Sequence, residues 1–354
     1  MRRMTNRERI LAVVHGREMD RVPFVQYDNL AAPNREVWDL LGRDNMGVMR
    51  WSNVHRVEHP NCRSEDEPFE RDGTQGVRTV LHTPAGDLVQ VRLRNPGHSV
   101  WRTTERFVKE PADYGPLMAY FRDSVVLEDM DHFRRDQELC GDDGVPLVAL
   151  ARTPFQQLWI EWVDIQDLCY HLADRPELVT ECLELMGGVI RRICEVARRA
   201  PLDFVDFPDN ITAPVIGEAN FRRWCVPFYN EMAAMLADRD TPVFVHMDGD
   251  LEPLWPAIGG SRVGGFDSLS PPPDNDTGPG RAHAMWPEMR LFINFPSSVH
   301  LASAERVYAR ACELLEEAGH SGRVQIQISE DVPPGAWRRT FPQIVRAISE
   351  FGAP

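Results

Sequence analysis

The sequence predicts an α/β chain folded as a (β/α)8 TIM barrel, with an N-terminal elaboration that contains a β-hairpin. The first observation behind this is an alternation. From residue 145 onward, short apolar runs of strand length are separated by stretches of helical periodicity, and that alternation builds a parallel sheet. The second is a count. Runs at 145–151, 203–207, 242–246, 263–269, 291–295 and 324–328, with one at 22–28, make seven good strands, and a weaker eighth would close the ring. The third is that no Gly-x-Gly-x-x-Gly follows the first strand, which argues against a doubly wound dinucleotide-binding sheet.

In chain order, Thr5 and Glu8 have the spacing of a capping box, Ile10, Leu11 and Val14 form one apolar face, and Gly16 stands where that helix stops. The stretch from Arg21 to Asp28 reads as a short buried strand whose polar end can meet a ligand. Residues 29–75 are charged and show little periodicity. The runs 77–83 and 88–93 flank Pro84-Ala85-Gly86-Asp87, a hairpin signal. Asp174 and Glu177 repeat the capping-box spacing ahead of Val179, Cys182, Leu183, Met186, Val189, Ile190 and Ile193. Ser303 opens a helix carrying Val307, Ala311, Leu314 and Leu315. No repeat or low-complexity linker marks a second domain, so residues 1–354 are expected to form a single barrel domain with 29–125 as its elaboration.

Composition narrows the function classes. Hydrophobic residues at 43% and charged residues at 26% suit a globular protein with a sizeable core. No run approaches the roughly 18 apolar residues of a membrane span, and the polar N-terminus shows no secretory signal. A net charge of −15 argues against nucleic acid or an anionic membrane as partner. Lys109 is the only lysine, which limits Schiff-base chemistry to that one position. The seven scattered cysteines contain no Cys-x-x-Cys and point to reduced thiols, hence to a cytoplasmic protein. There is also no nucleophile elbow, P-loop, His-Glu-x-x-His or zinc ribbon. Nothing in the sequence specifies an oligomeric state.

Active sites of such barrels lie at the C-terminal ends of the strands, so polar residues there are the candidates. In Val243-Phe244-Val245-His246-Met247-Asp248, strand alternation turns His246 and Asp248 to one side, where an imidazole nitrogen and a carboxylate can share a metal ion. A structural His–Asp hydrogen bond uses the same spacing. Val324–Ile328 runs into Ser329-Glu330-Asp331-Val332-Pro333-Pro334; Glu330 or Asp331 offers a third ligand or a base, and a capped strand exit is the alternative. Asp206 and Asp209, with Asn210, interleave with aromatics at another strand end, which suits acid–base work by the aspartates and substrate hydrogen bonding by Asn210, as well as a simple Asp-Asn turn. Gln26, Tyr27 and Asp28 after the first strand, and Gln157 after the strand at 145–151, are candidates for binding a small-molecule substrate.

Several segments together resemble the uroporphyrinogen decarboxylase superfamily, which includes the corrinoid-linked methyltransferases that act on coenzyme M. They are Thr5-Asn6-Arg7-Glu8-Arg9-Ile10-Leu11-Ala12, Asp20-Arg21-Val22-Pro23, Thr83-Pro84-Ala85-Gly86, Val108 to Tyr114, Asp174-Arg175-Pro176-Glu177, Phe244 to Asp250, and Glu330-Asp331-Val332-Pro333-Pro334. The resemblance implies a (β/α)8 barrel, and the sequence departs from both branches in informative ways. True uroporphyrinogen decarboxylases carry an arginine-rich segment after the first strand; here that stretch reads Val25-Gln26-Tyr27-Asp28-Asn29-Leu30-Ala31, without an arginine. Unpaired substrate carboxylates in a closed pocket are costly, so haem-pathway decarboxylation is not expected.

The methyltransferase branch holds zinc with His-x-Cys and a late Cys before a proline turn. His246 remains, Asp248 stands at the first cysteine position, and Glu330 falls at the second. By resemblance, His246, Asp248 and Glu330 are the metal ligands. The harder donor set takes Zn²⁺ and also admits Mn²⁺, Fe²⁺ or Co²⁺. The expected function is a metal-dependent methyltransferase or demethylase acting on a small substrate with a cobamide methyl carrier, free or on a corrinoid protein. The alternative is a lyase, decarboxylase or hydrolase, with or without metal, using Asp206 or Asp209 for acid–base chemistry.

Overall fold

The computed structural model describes residues 2–95 and 101–354. Eight parallel strands form one sheet: β1 (Phe24–Tyr27), β2 (Gly47–Ser52), β3 (Gly144–Val148), β4 (Val205–Phe207), β5 (Val243–Met247), β6 (Gly265–Leu269), β7 (Arg290–Asn294) and β8 (Val324–Ile328). The hydrogen-bonded order runs from β4 through β8 to β1, β2 and β3. A parallel bridge between Ala149 and Asp206 joins β3 back to β4 and closes the ring. Each strand is followed along the chain by a helix, among them Asp131–Cys140, Val226–Leu236, Ala304–Ala318 and Trp337–Phe351. This is the (β/α)8 barrel that the alternation predicts.

The strand missing from the sequence reading is β2. Its run, Gly47-Val48-Met49-Arg50-Trp51-Ser52, lies within the charged 29–75 stretch, and Arg50 interrupts its apolar pattern. That arginine is explained by its partners: it pairs with Asp28 and, at 2.8 Å, with the buried Asp136. The helix expected to start at Asp174 also differs. Asp174 is the last residue of the helix Ile165–Asp174, and the long helix starts at Pro176. Proline lacks an N–H and suits the first helical turn, so it outweighs the aspartate as the start signal.

The chain groups into two compact units. The first comprises Met1–Val54, Asp129–Ala151 and Ala197–Pro354 and contains all eight barrel strands. The second comprises His55–Glu128 and Arg152–Val196. It holds the expected hairpin, Thr74–Thr83 against Gly86–Arg94, with Thr83 opposite Gly86. Arg63–Arg71 and Trp101–Glu105 extend that hairpin to a four-stranded antiparallel sheet.

Inside the barrel, polarity changes along the strands. Phe204, Phe244 and Phe292 meet near the strand starts, with centroids 4.7–6.0 Å apart. They join Val25, Met49, Val145 and Leu147 in one buried cluster with Ile10, Val13 and Val14 of the first helix, Asn6–His15. That helix carries the predicted Thr5–Glu8 capping box and covers the N-terminal end of the barrel, where Arg7 N–H donates to the Asp142 carbonyl. Two residues further along the same strands, alternation returns the side chain to the interior, and those positions are Asp206, His246 and Asn294. A polar layer therefore lies directly on an aromatic floor. All seven cysteines are free thiols, and among the described residues no helix is long and apolar enough to cross a membrane.

Candidate metal centre

His246, Asp248 and Glu330 come together at the C-terminal ends of β5 and β8. Their donor atoms all lie within 4.8 Å of one another. His246 Nε2 is 3.4 Å from Asp248 Oδ2 and 3.7 Å from Glu330 Oε1. His246 is buried, whereas Glu330 sits at the half-exposed rim. Of the two acids at 330 and 331, Glu330 is the one in the cluster.

Local structure explains the convergence. His246 and Asp248 alternate onto one side, as the spacing predicts. The turns after β4 and β5 then bind each other: Ile211 N–H donates to the His246 carbonyl and Gly249 N–H to the Ile211 carbonyl, both at 3.1 Å. Gly249 permits this approach, because a Cβ there would lie 2.2 Å from the Thr212 Cβ and 2.8 Å from its Cα. Asn210 adopts a left-handed backbone (φ 48°), which asparagine tolerates, and donates to Asp248 Oδ2 at 3.1 Å. On the other side, Ser329 N–H donates to Asn294 Oδ1 and its hydroxyl meets Ser268 Oγ at 2.6 Å, fixing the chain just before Glu330.

The imidazole is oriented from behind. Its Nδ1 meets the Asp267 carbonyl, and the Ser268 N–H donates to the same nitrogen at 3.2 Å. These two contacts fix the ring plane so that Nε2 faces the two carboxylates. A lone pair facing two anions is repulsive unless a proton or a cation lies among them. For the proton, burial works against charge on His246, but the hydrogen bonds its charged form donates to Asp248 and Glu330 prevail and hold its pKa well above the ordinary value. Asp248 mirrors this: burial raises its pKa, yet His246 and Asn210 bring it below the usual carboxylate range. For the cation, ligands about 2.0–2.2 Å from a tetrahedral ion lie roughly 3.3–3.6 Å apart, close to the two histidine separations. The donor set, one imidazole nitrogen and two carboxylates, fits a divalent metal with an open coordination position.

The other expected residues divide. Asp206 is fully buried in the same polar layer. Asp209 is also buried but accepts a hydrogen bond from Tyr229 of the helix Val226–Leu236. Tyr27 points into the barrel and donates to Asp267 Oδ2 at 2.9 Å. Burial and the carboxylates of Asp267 and Asp206 raise its pKa well above 10, so the hydroxyl keeps its hydrogen. Gln26, on the opposite strand face, donates to the Ala32 carbonyl and to Asn34, and Asp28 binds Asn34 and Arg50. These two hold the turn after β1 and lie apart from the histidine cluster. Gln157 belongs to the second unit, where it donates to Glu161 at 3.1 Å.

Asp267 and Gln327 were absent from the sequence reading. Asp267 is wholly buried, accepting from Tyr27 and, at 2.7 Å, from Gln327 Nε2. Burial raises its pKa despite the opposing His246 charge and both hydrogen bonds. The signals were an aspartate inside the apolar run Gly265–Leu269 and the alternating glutamines of Val324-Gln325-Ile326-Gln327-Ile328.

A closed barrel with a His-carboxylate-carboxylate cluster at the C-terminal strand ends defines a (β/α)8 enzyme fold with a candidate metal centre. Residues 117–351 match the family described as uroporphyrinogen decarboxylase (URO-D), and the chain belongs to that family. A methyltransferase from Methanosarcina mazei has a similar structure: TM-score 0.60, 12% identity, 98% of this chain and 99% of that one covered. At that identity the likeness speaks for the fold. No curated protein matches the sequence.

Proposed function

We propose that the protein is a metal-dependent methyltransferase or demethylase acting on a small substrate, with a cobamide as methyl carrier, free or on a corrinoid protein. The convergence of His246, Asp248 and Glu330 carries this reading. The methyltransferase from Methanosarcina mazei supports its methyl-transfer part by analogy. A divalent ion, Zn²⁺ first and Mn²⁺, Fe²⁺ or Co²⁺ as harder alternatives, would supply Lewis acidity to a substrate oxygen or sulfur.

The chain's own residues prepare the site for this. The Asp267 carbonyl and the Ser268 N–H keep His246 Nε2 turned to the opening, and Asn210 sets the Asp248 carboxylate. The floor of Phe204, Phe244 and Phe292 keeps water from beneath and lowers the local dielectric, which strengthens the polar contacts above it. Asp206 and Tyr27, at the ends of β4 and β1, are placed to orient the substrate. A four-ring polycarboxylate substrate would meet no arginine along 25–31, so uroporphyrinogen decarboxylation is not the reaction proposed.

One observation favours a second reading. Asp267, with its raised pKa and its Tyr27 and Gln327 partners, is a buried acid suited to proton transfer in a lyase or decarboxylase. Elemental analysis of untagged protein, beside His246→Ala and Glu330→Ala, tests the first reading. Near-stoichiometric metal, lost in both variants, is expected, followed by demethylation of methylcobalamin in the presence of substrate. A wild type that takes up none of the four ions would end the metal reading and leave the acid–base one.

A further inference from the structure

A second site lies at the opposite end of the barrel. A cavity of about 400 Å³ opens where the N-terminal ends of β5, β6 and β7 meet the tail of the first helix. Its lining includes His15, Arg17, Asp240, Arg262, Gly264 and Arg290. Val243 lines it and His246 lies three residues on, so about 10 Å of strand separates this cavity from the candidate metal centre.

The charges in this cavity are unusual for the chain. The whole protein carries −15, yet the lining holds three arginines and one aspartate. Arg17 and Arg262 are exposed, and among the described residues none of the three arginines has a carboxylate within ion-pair distance. Arg290 is half-buried. It donates to the Glu288 carbonyl at 3.3 Å, but its Nε–H is buried without an acceptor. Glu288, the nearby acid, is engaged by Arg323 at 2.6 Å. Burial and the Arg323 guanidinium disfavour the charge on Arg290 and outweigh the support it draws from the Glu288 and Asp240 carboxylates. Like charges gathered around a cavity, one with an unused buried donor, are stabilised by an anion between them. Guanidinium forks match the paired oxygens of phosphate and carboxylate groups.

We propose that this basal cavity binds a multiply charged oxyanion, a phosphate ester or a di- or tricarboxylate, through Arg17, Arg262 and Arg290. Its volume exceeds what inorganic phosphate fills and falls in the range of small organic ligands. Arg17 and Arg262 supply charge at the mouth, and Arg290 supplies the buried donor.

Titration calorimetry on the full chain, with inorganic phosphate and with citrate at fixed ionic strength, tests the proposal. Binding with a Kd below about 1 mM is expected for at least one of them. Arg17→Ala and Arg262→Ala, both exposed and safe for folding, and Arg290→Ala should each weaken it about tenfold, as loss of one charge-assisted contact does. Arg338→Ala, which removes an exposed pair with Glu36, should leave it unchanged. Binding of phosphate alone assigns the ligand to the phosphate esters, and of citrate alone to the polycarboxylates. Failure of both anions to bind, or equal binding by the Arg17 and Arg262 variants and the wild type, overturns it.

Discussion

Replacing Phe244 with alanine removes the centre of the aromatic floor on which the polar layer rests. Phe244 is fully buried, 4.7 Å from Phe292 and 5.2 Å from Phe204 between ring centroids. Truncation of a buried phenylalanine costs about 3–5 kcal/mol, and each aromatic pair adds about 0.5–1.5 kcal/mol, partly counted already in that range. The expected loss is therefore about 4–6 kcal/mol. Because that is a large share of a typical total stability of about 5–15 kcal/mol, Phe244→Leu is the gentler companion, at about 1–3 kcal/mol. Urea denaturation monitored by tryptophan fluorescence measures both. A cycle with Phe292→Leu should return a coupling of about 0.5–1.5 kcal/mol for the closer ring pair. A loss under about 2 kcal/mol for Phe244→Ala, or a coupling indistinguishable from zero, would refute the packed floor.

Other expectations follow from single contacts. Burial lowers the pKa of His300 to about 4, so the unfolded chain, with histidine near 6.5, binds the extra proton first. Stability contributed by neutral His300 is complete above pH 6.5 and is lost as pH falls towards 4, by up to about 3 kcal/mol. His300→Gln should flatten that part of the stability–pH curve, and an unchanged slope would contradict the assignment. Asn210→Ala removes the donor that sets Asp248 and should weaken metal binding about 10- to 100-fold in a chelator competition, with little change in unfolding midpoint. Arg9 is buried and bound to Asp20 through contacts of 2.7 and 2.9 Å, so Arg9→Ala should cost about 3–5 kcal/mol by strand-independent measures such as calorimetry. A cost below about 1 kcal/mol would show that water replaces the guanidinium there.

Much of the barrel was legible because its signals are local. Seven strands announce themselves as apolar runs, and the first helix by its Thr5–Glu8 cap. β2 was hidden because Arg50 finds its partners, Asp28 and Asp136, far along the chain. The His246–Asp248 half of the candidate centre was legible for the same reason as the strands: period-two alternation places both side chains on one face. The strand end at Ile328 offered Glu330 or Asp331 alike, and only the position before the Pro333-Pro334 turn, in a resemblance, chose Glu330. Asp267 and Gln327 escaped notice because one polar residue in an apolar strand looks alike whether it faces a helix or the barrel axis. Gln26 shows the converse. Strand β1 sends Tyr27 inward and Gln26 outward, and only the direction of the pleat distinguishes them.

The sequence by itself determined the periodicities, the capping box, the charge balance and the donor types, since each depends on neighbours within a few residues. It thereby set a closed parallel barrel and a His-x-Asp pair at the end of one strand. The tertiary structure decided which strands are adjacent, and so which distant side chains share a site. Closing the ring put β8 beside β1 and β7 and carried Glu330 to His246; it also stacked three phenylalanines beneath the polar layer. The same closure gathered Arg17, Arg262 and Arg290 around one basal cavity. Those encounters depend on the register and tilt of strands separated by tens to hundreds of residues, which no local pattern encodes.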